Sequence, residues 1–99
     1  MARKIIWSPG ARDDLHNLVR AIAADNPELA EQFAYRLMQQ TDKLQDFPEI
    51  GRQVPEKRDP NLREIIVTPY RVIYRLRPRQ QVVEIVRVWH GARGEPQVN

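Results

Sequence analysis

Few side chains in this sequence could do chemistry, and they are unevenly placed. It has two histidines, His16 and His90, no cysteine, and an excess of arginine toward the C-terminal half. Histidine is the side chain whose charge ordinarily changes near neutral pH, and arginine presents a planar fork to phosphate or carboxylate. Residues 1–50 hold 6 Lys/Arg against 8 Asp/Glu, whereas residues 51–99 hold 10 against 5, and nine of those ten are arginine. The net charge of +3 therefore conceals a basic second half. Such a half points to an anionic partner, the bland alternative being a solvated face that only keeps the protein soluble. Without cysteine there is no thiolate nucleophile, disulfide or thiolate metal site. Two histidines 74 positions apart, with no clustered carboxylates, do not form a metal ligand set. No glycine-rich phosphate loop is present, so no cofactor is expected.

Local patterns define the elements that must position these groups. Lys4-Ile5-Ile6-Trp7 is β-branched and aromatic, which predicts a first strand. Ser8-Pro9 is a helix start, with Ser8 able to cap free amides and Pro9 suited to the first turn. Asp13 and Asp14 fall where the helix dipole favours acid. Ala11, Leu15, Leu18 and Ile22 make one apolar stripe, so the helix should run to about Ala24. Asn26-Pro27 repeats the signal, and Ala30, Phe33, Leu37, Thr41 and Leu44 carry a second stripe, widened by Ala34 and Met38. The short break between the two favours an antiparallel helical hairpin.

From Pro48 to Asn61 the chain has three prolines and Gly51 and no clear period, which predicts either a functional loop or one that merely crosses an end of the core. Three strands should follow. Leu62–Thr68 alternates weakly. In Tyr70–Arg77, Tyr70, Val72, Tyr74 and Leu76 point one way while Arg71, Ile73, Arg75 and Arg77 point the other. Val82–His90 forms the last strand, and the tail after Gly94 should be loose. The expected fold is α+β, in the order β-α-α-β-β-β, with the hairpin on one face of a mainly antiparallel four-stranded sheet. Residues 1–99 form a single domain, 94–99 being the tail, and Arg63, Arg71, Arg75 and Arg93 are expected to gather near one surface. No run approaches the roughly 18 apolar residues a membrane span needs, and Ile5-Ile6-Trp7 is too brief for a signal peptide. A cytoplasmic setting is expected.

Taken in order, Trp7-Ser8-Pro9 with Ala11 and Asp14-Leu15, then Phe47-Pro48, Gly51-Arg52 and Val54-Pro55, then Leu62-Arg63-Glu64, Tyr70–Arg75 and Val86–Arg93 resemble the RelE/ParE toxin superfamily, and its ParE-like branch more closely. The resemblance spans nearly the whole chain. It implies the toxin of a bacterial type II toxin–antitoxin system, neutralised by a cognate antitoxin that would occupy an apolar groove.

The superfamily divides by target. ParE-like members poison DNA gyrase and carry out no reaction of their own, and the basic sheet, with Arg63, Arg71, Arg75 and Arg93, would then contact the target. RelE-like members cut messenger RNA on the translating ribosome. That reaction needs a base for the 2′-hydroxyl, cations for the phosphate and an acid for the leaving oxygen. Here His90 would be the acid or base, Arg71 and Arg93 the phosphate clamp, and Glu56 or Glu64 the second proton carrier. A structural role competes with each assignment: Arg71 could pair with Glu64 or Glu84 across the sheet, and His16 lies off the apolar stripe, as a surface residue would. Trp7 and Trp89 could stack on bases but suit core or antitoxin packing better. The gyrase reading is preferred.

Overall fold

A computed structural model of the chain describes residues 2–98. Both helix starts form as the sequence dictates. Helix α1 runs Pro9–Asp25 and α2 runs Pro27–Asp42. The Ser8 side chain accepts from the Ala11 amide at 3.1 Å and Asn26 accepts from the Leu29 amide at 3.1 Å, satisfying donors that each first turn leaves open. Ser8 also donates to the Val86 carbonyl oxygen, tying the start of α1 to the last strand.

The sheet has five strands: β1 (Lys4–Trp7), β2 (Arg52–Gln53), β3 (Leu62–Val67), β4 (Tyr70–Arg77) and β5 (Val82–His90), in the order β1-β5-β4-β3-β2. Two details correct the expected four-stranded, mainly antiparallel sheet. The loop after α2 contributes the two-residue strand β2, which pairs with Arg63 and Glu64 of β3. The first strand lies parallel to β5, so the sheet is mixed. A helical crossover leads out of β1, and that connection permits parallel pairing where a tight turn would not.

Both helices pack on one face. Leu18, Phe33, Leu37 and Leu44 meet Val67, Val72, Tyr74, Val83, Ile85 and Val88 there. The opposite face has a smaller cluster of Val54, Leu62, Ile73 and Trp89, with Val86 and Val98 packed against it. The tail is thus not loose. Pro96 is buried, Val98 packs on that open face, and the Trp89 indole N–H donates to the Gly94 carbonyl oxygen at 3.1 Å. Burying Trp89 leaves its N–H in need of an acceptor, and the tail supplies it. Residue 99 of the expected tail lies outside the described residues.

One irregularity decides where the chemistry-bearing side chains go. The β4–β5 register shifts by one residue between Ile73 and Tyr74, so that Tyr74 faces Ile85 while Ile73 faces Arg87. The extra residue in β5 is a bulge, which inverts the alternation beyond it.

Candidate functional site

The open face carries a lattice of ion pairs. Glu64 is central, with its side chain 0% exposed, and accepts from Arg52 Nε at 2.6 Å and Arg71 Nε at 2.7 Å. The outer fork of Arg71 is occupied as well. Its Nη1 and Nη2 donate to the two oxygens of Glu56 at 2.9 and 2.7 Å, a bidentate pair. Arg75 pairs with Asp59, Arg77 with Glu84, and Arg87 with Asp14 on α1. Among the described residues, five arginines (Arg52, Arg71, Arg75, Arg77, Arg87) thus share five carboxylates (Asp14, Glu56, Asp59, Glu64, Glu84). Most of the charge that marks the second half of the sequence is neutralised within the molecule.

The four arginines expected to gather do not share one surface. Arg71 and Arg75 alternate with buried Val72 and Tyr74 and stand on the open face. Arg63 pairs in register with Tyr74 on the helix side, where its Nη1 donates to the Gly51 carbonyl oxygen at 3.0 Å. Arg93 lies just past β5, its guanidinium 4.3 Å from the centre of the Trp89 ring. Among the described residues no carboxylate pairs with it.

His90 is turned toward the helices. It makes an edge-to-face contact with Tyr70, ring centres 5.1 Å apart, and Tyr70 in turn meets Phe33 of α2 at 5.4 Å. Its Nδ1 accepts from the Ala92 amide at 3.0 Å. In the neutral ring the proton therefore sits on Nε2, which becomes a donor. His90 and Arg93 line a cleft of about 270 Å³ with Asp14, Asn17, Leu18, Tyr70 and Val88. Asp14 is already committed there, accepting from Arg87 and from the Val88 amide.

A second constellation, absent from the expectations, holds the loop before β3. The Tyr74 hydroxyl is buried, accepts from the Gly51 amide at 3.0 Å and donates to the Pro48 carbonyl oxygen at 2.7 Å. Burial of this phenol raises its pKa. Gly51-Arg52 was the sequence signal for this corner, but nothing in it named Tyr74 as the partner. Among the described residues no group of three or more His, Cys, Asp or Glu could hold a metal ion, and no helix is long and apolar enough to cross a membrane.

The comparisons with known proteins agree with this architecture. The model of the ParE toxin of type II toxin–antitoxin systems matches residues 5–94. The chain belongs to the ParE toxin family. It is 34% identical over 90 residues to Toxin RelE2 of Caulobacter vibrioides, covering 91% of this chain and 97% of that protein. Among solved structures it resembles a chain of the chromosomal ParDE system of P. aeruginosa, with a TM-score of 0.74 at 20% identity, covering 90% of this chain and 96% of that one. A chain of the RelBE2 toxin–antitoxin complex of Mycobacterium tuberculosis gives a TM-score of 0.59 at 25% identity, covering 91% of this chain and 99% of that one. The protein is thus the toxin of a type II toxin–antitoxin system, and the open-face lattice of ion pairs lies on its sheet.

That lattice carries a pH dependence. Hydrogen bonds from Arg71 are the main cause that lowers the Glu56 pKa from 4.5 to about 2, against the opposing effect of burial. Arg71 is correspondingly pushed up. A carboxyl whose pKa is depressed by folding stabilises the native state fully above its unfolded value, and the contribution is lost as pH falls toward the folded value. Wild type should therefore exceed Glu56→Gln in stability at pH 7, and the gap should close between about pH 4.5 and 2. Urea unfolding at a series of pH values reads this directly, and a gap that stays constant down to pH 2 would contradict it.

Proposed function

We propose that this toxin arrests growth by binding its target and not by cleaving RNA, that the target is DNA gyrase, and that a cognate antitoxin holds it silent. The supporting observation is the placement of His90 and Arg71 on opposite faces of the sheet. His90 packs with Tyr70 on the helix side, while Arg71 is held by Glu56 and Glu64 on the open side. A base and a phosphate clamp so separated do not meet at one phosphodiester, and proton transfer requires hydrogen-bond reach. The Nδ1 of His90 is also taken by Ala92, and both candidate second carriers, Glu56 and Glu64, are the acceptors of Arg71. Arg93, which no carboxylate pairs with among the described residues, is the cation of the expected set best placed to touch a target.

The antitoxin has a natural seat. Trp7, Leu15, Val19 and Met38 line an apolar cleft of about 350 Å³ with Arg12 and His16, beside the helical hairpin. An amphipathic partner helix would bury this surface.

The decisive experiment compares two reactions of the purified toxin. Inhibition of gyrase supercoiling with trapped cleaved DNA supports the reading, whereas message cut only on translating ribosomes replaces it with an endonuclease using His90, Arg71 and Arg93. His90→Ala gives a cheaper result. Growth arrest should persist at near wild-type inducer levels, because acid–base catalysis contributes roughly 10²–10⁴-fold where it operates and is not being used. Loss of arrest by a folded His90→Ala protein would count heavily for the nuclease.

A further inference from the structure

We infer that Met38 is an oxidation site through which a peroxide loosens the antitoxin's hold: converting its thioether to a sulfoxide spoils the apolar seat beside the helical hairpin and leaves the toxin free. The inference rests on the reading of that seat given above and adds its regulation. The chain has no cysteine and two methionines, Met1 and Met38, so thioethers are its only sulfur. Met38 lies in α2 and is 40% exposed, open to a small oxidant. Among the described residues it is the one that α2 contributes to the cleft of about 350 Å³, whose other walls are Trp7 of β1 and Arg12, Leu15, His16 and Val19 of α1. Trp7, Leu15 and Val19 are partly buried and rest on the main core, so the cleft floor is fixed and Met38 is its exposed wall.

Hydrogen peroxide transfers one oxygen atom to the sulfur. A sulfur lone pair forms the S–O bond as the O–O bond breaks, and the second peroxide oxygen leaves as water with both protons. A pliable apolar side chain that suits an apolar partner becomes a polar one with an acceptor and no donor. With the cleft empty, water reaches that oxygen, and Arg12 and His16 line the same cleft as further donors. Beneath the apolar face of a partner helix the water is expelled, and the oxygen is left unpaired unless the helix withdraws. The oxidised seat is thus better satisfied empty than filled.

The test uses the purified toxin, its complex with the co-expressed cognate antitoxin, and dilute hydrogen peroxide. Oxidation of the free toxin should add one oxygen at Met38, located by peptide mass spectrometry, and weaken antitoxin binding on the order of tenfold or more. Methionine sulfoxide reductases should restore the affinity. In Met38→Leu, whatever its starting affinity, the same treatment should change nothing, although Met1 can still be oxidised. Met38→Gln, polar from the outset, should bind weakly without treatment. In the preformed complex Met38 should oxidise several-fold more slowly, because the partner covers it. Equal rates in free and bound toxin would remove the seat, and the inference with it. Protection in the complex together with unchanged affinity after oxidation keeps the seat and overturns the inference alone. A loss of affinity that persists in Met38→Leu, or an oxidised toxin that has unfolded by circular dichroism, overturns it as well.

Discussion

Gly51→Ala should cost on the order of 3 kcal/mol or more, enough to remove a large part of the margin of a domain this size. A β-carbon at this position would lie 2.5 Å from the Glu64 carbonyl oxygen, 2.5 Å from the Tyr74 hydroxyl and 2.9 Å from the Glu64 carbonyl carbon. Two of those neighbours are backbone of β3, which is hydrogen-bonded to β4 along its length and has little freedom to retreat. The third is a fully buried phenol held by the Gly51 amide and the Pro48 carbonyl. Relief would therefore require the corner to move away, breaking both bonds of Tyr74 and the contact from Arg63 to the Gly51 carbonyl. Each buried polar group left unsatisfied adds about 1–3 kcal/mol to the steric cost. Gly10→Ala is the matched control, because its β-carbon would meet nothing closer than 4.0 Å. Urea unfolding of the two variants measures the difference, and a loss below about 1 kcal/mol at Gly51 would mean that the corner yields far more easily than its contacts suggest.

That corner also shows where sequence reasoning ran out. Helix starts were legible because Ser8-Pro9 and Asn26-Pro27 act locally: each cap bonds an amide three residues on. The faces of β4 were legible too, since Arg71 and Arg75 alternate with apolar Val72 and Tyr74. What a period cannot reveal is a change of phase. Continued strictly from Val83 and Ile85, the alternation of β5 would send Trp89 to the helices and His90 to the open face beside Arg71. The bulge sends Val88 and His90 to the helices instead, and Trp89 to the open face. One inserted residue thus separates the two groups that a nuclease reading would join. Partners far apart in sequence were equally hidden. Arg87 reaches Asp14 across 73 positions, and Tyr74 reaches Pro48 across 26. The cross-strand pair of Arg71 with Glu64 was legible from the sequence, but Glu56 and Asp59, which pair with Arg71 and Arg75, were not, because they sit in a stretch without periodicity.

Glu64→Ala is the second large effect, expected at about 3–5 kcal/mol, because it leaves Arg71 only partly compensated in a nearly dry position. Among the described residues Glu64 is the one carboxylate of the open face with no exposure at all, and it takes two arginine Nε donors at once. Its two partners should behave unequally. Arg52 is 61% exposed, so Arg52→Ala ought to cost no more than about 1 kcal/mol, as for any solvent-facing pair. Arg71 is 11% exposed and would keep only Glu56 at its outer edge, so removing its inner acceptor leaves Nε without a partner in a nearly dry position. A burial penalty of this kind predicts a specific rescue. Replacing both members with apolar residues of similar size, Glu64→Leu with Arg71→Met, should recover most of the loss, because neither charge then remains to be solvated. Thermal unfolding of the single and double variants forms a cycle that isolates the coupling. If the double variant proves as unstable as Glu64→Ala, the loss comes from packing and not from charge. In that case Glu64 would no longer explain why Arg71 is held with its fork turned outward.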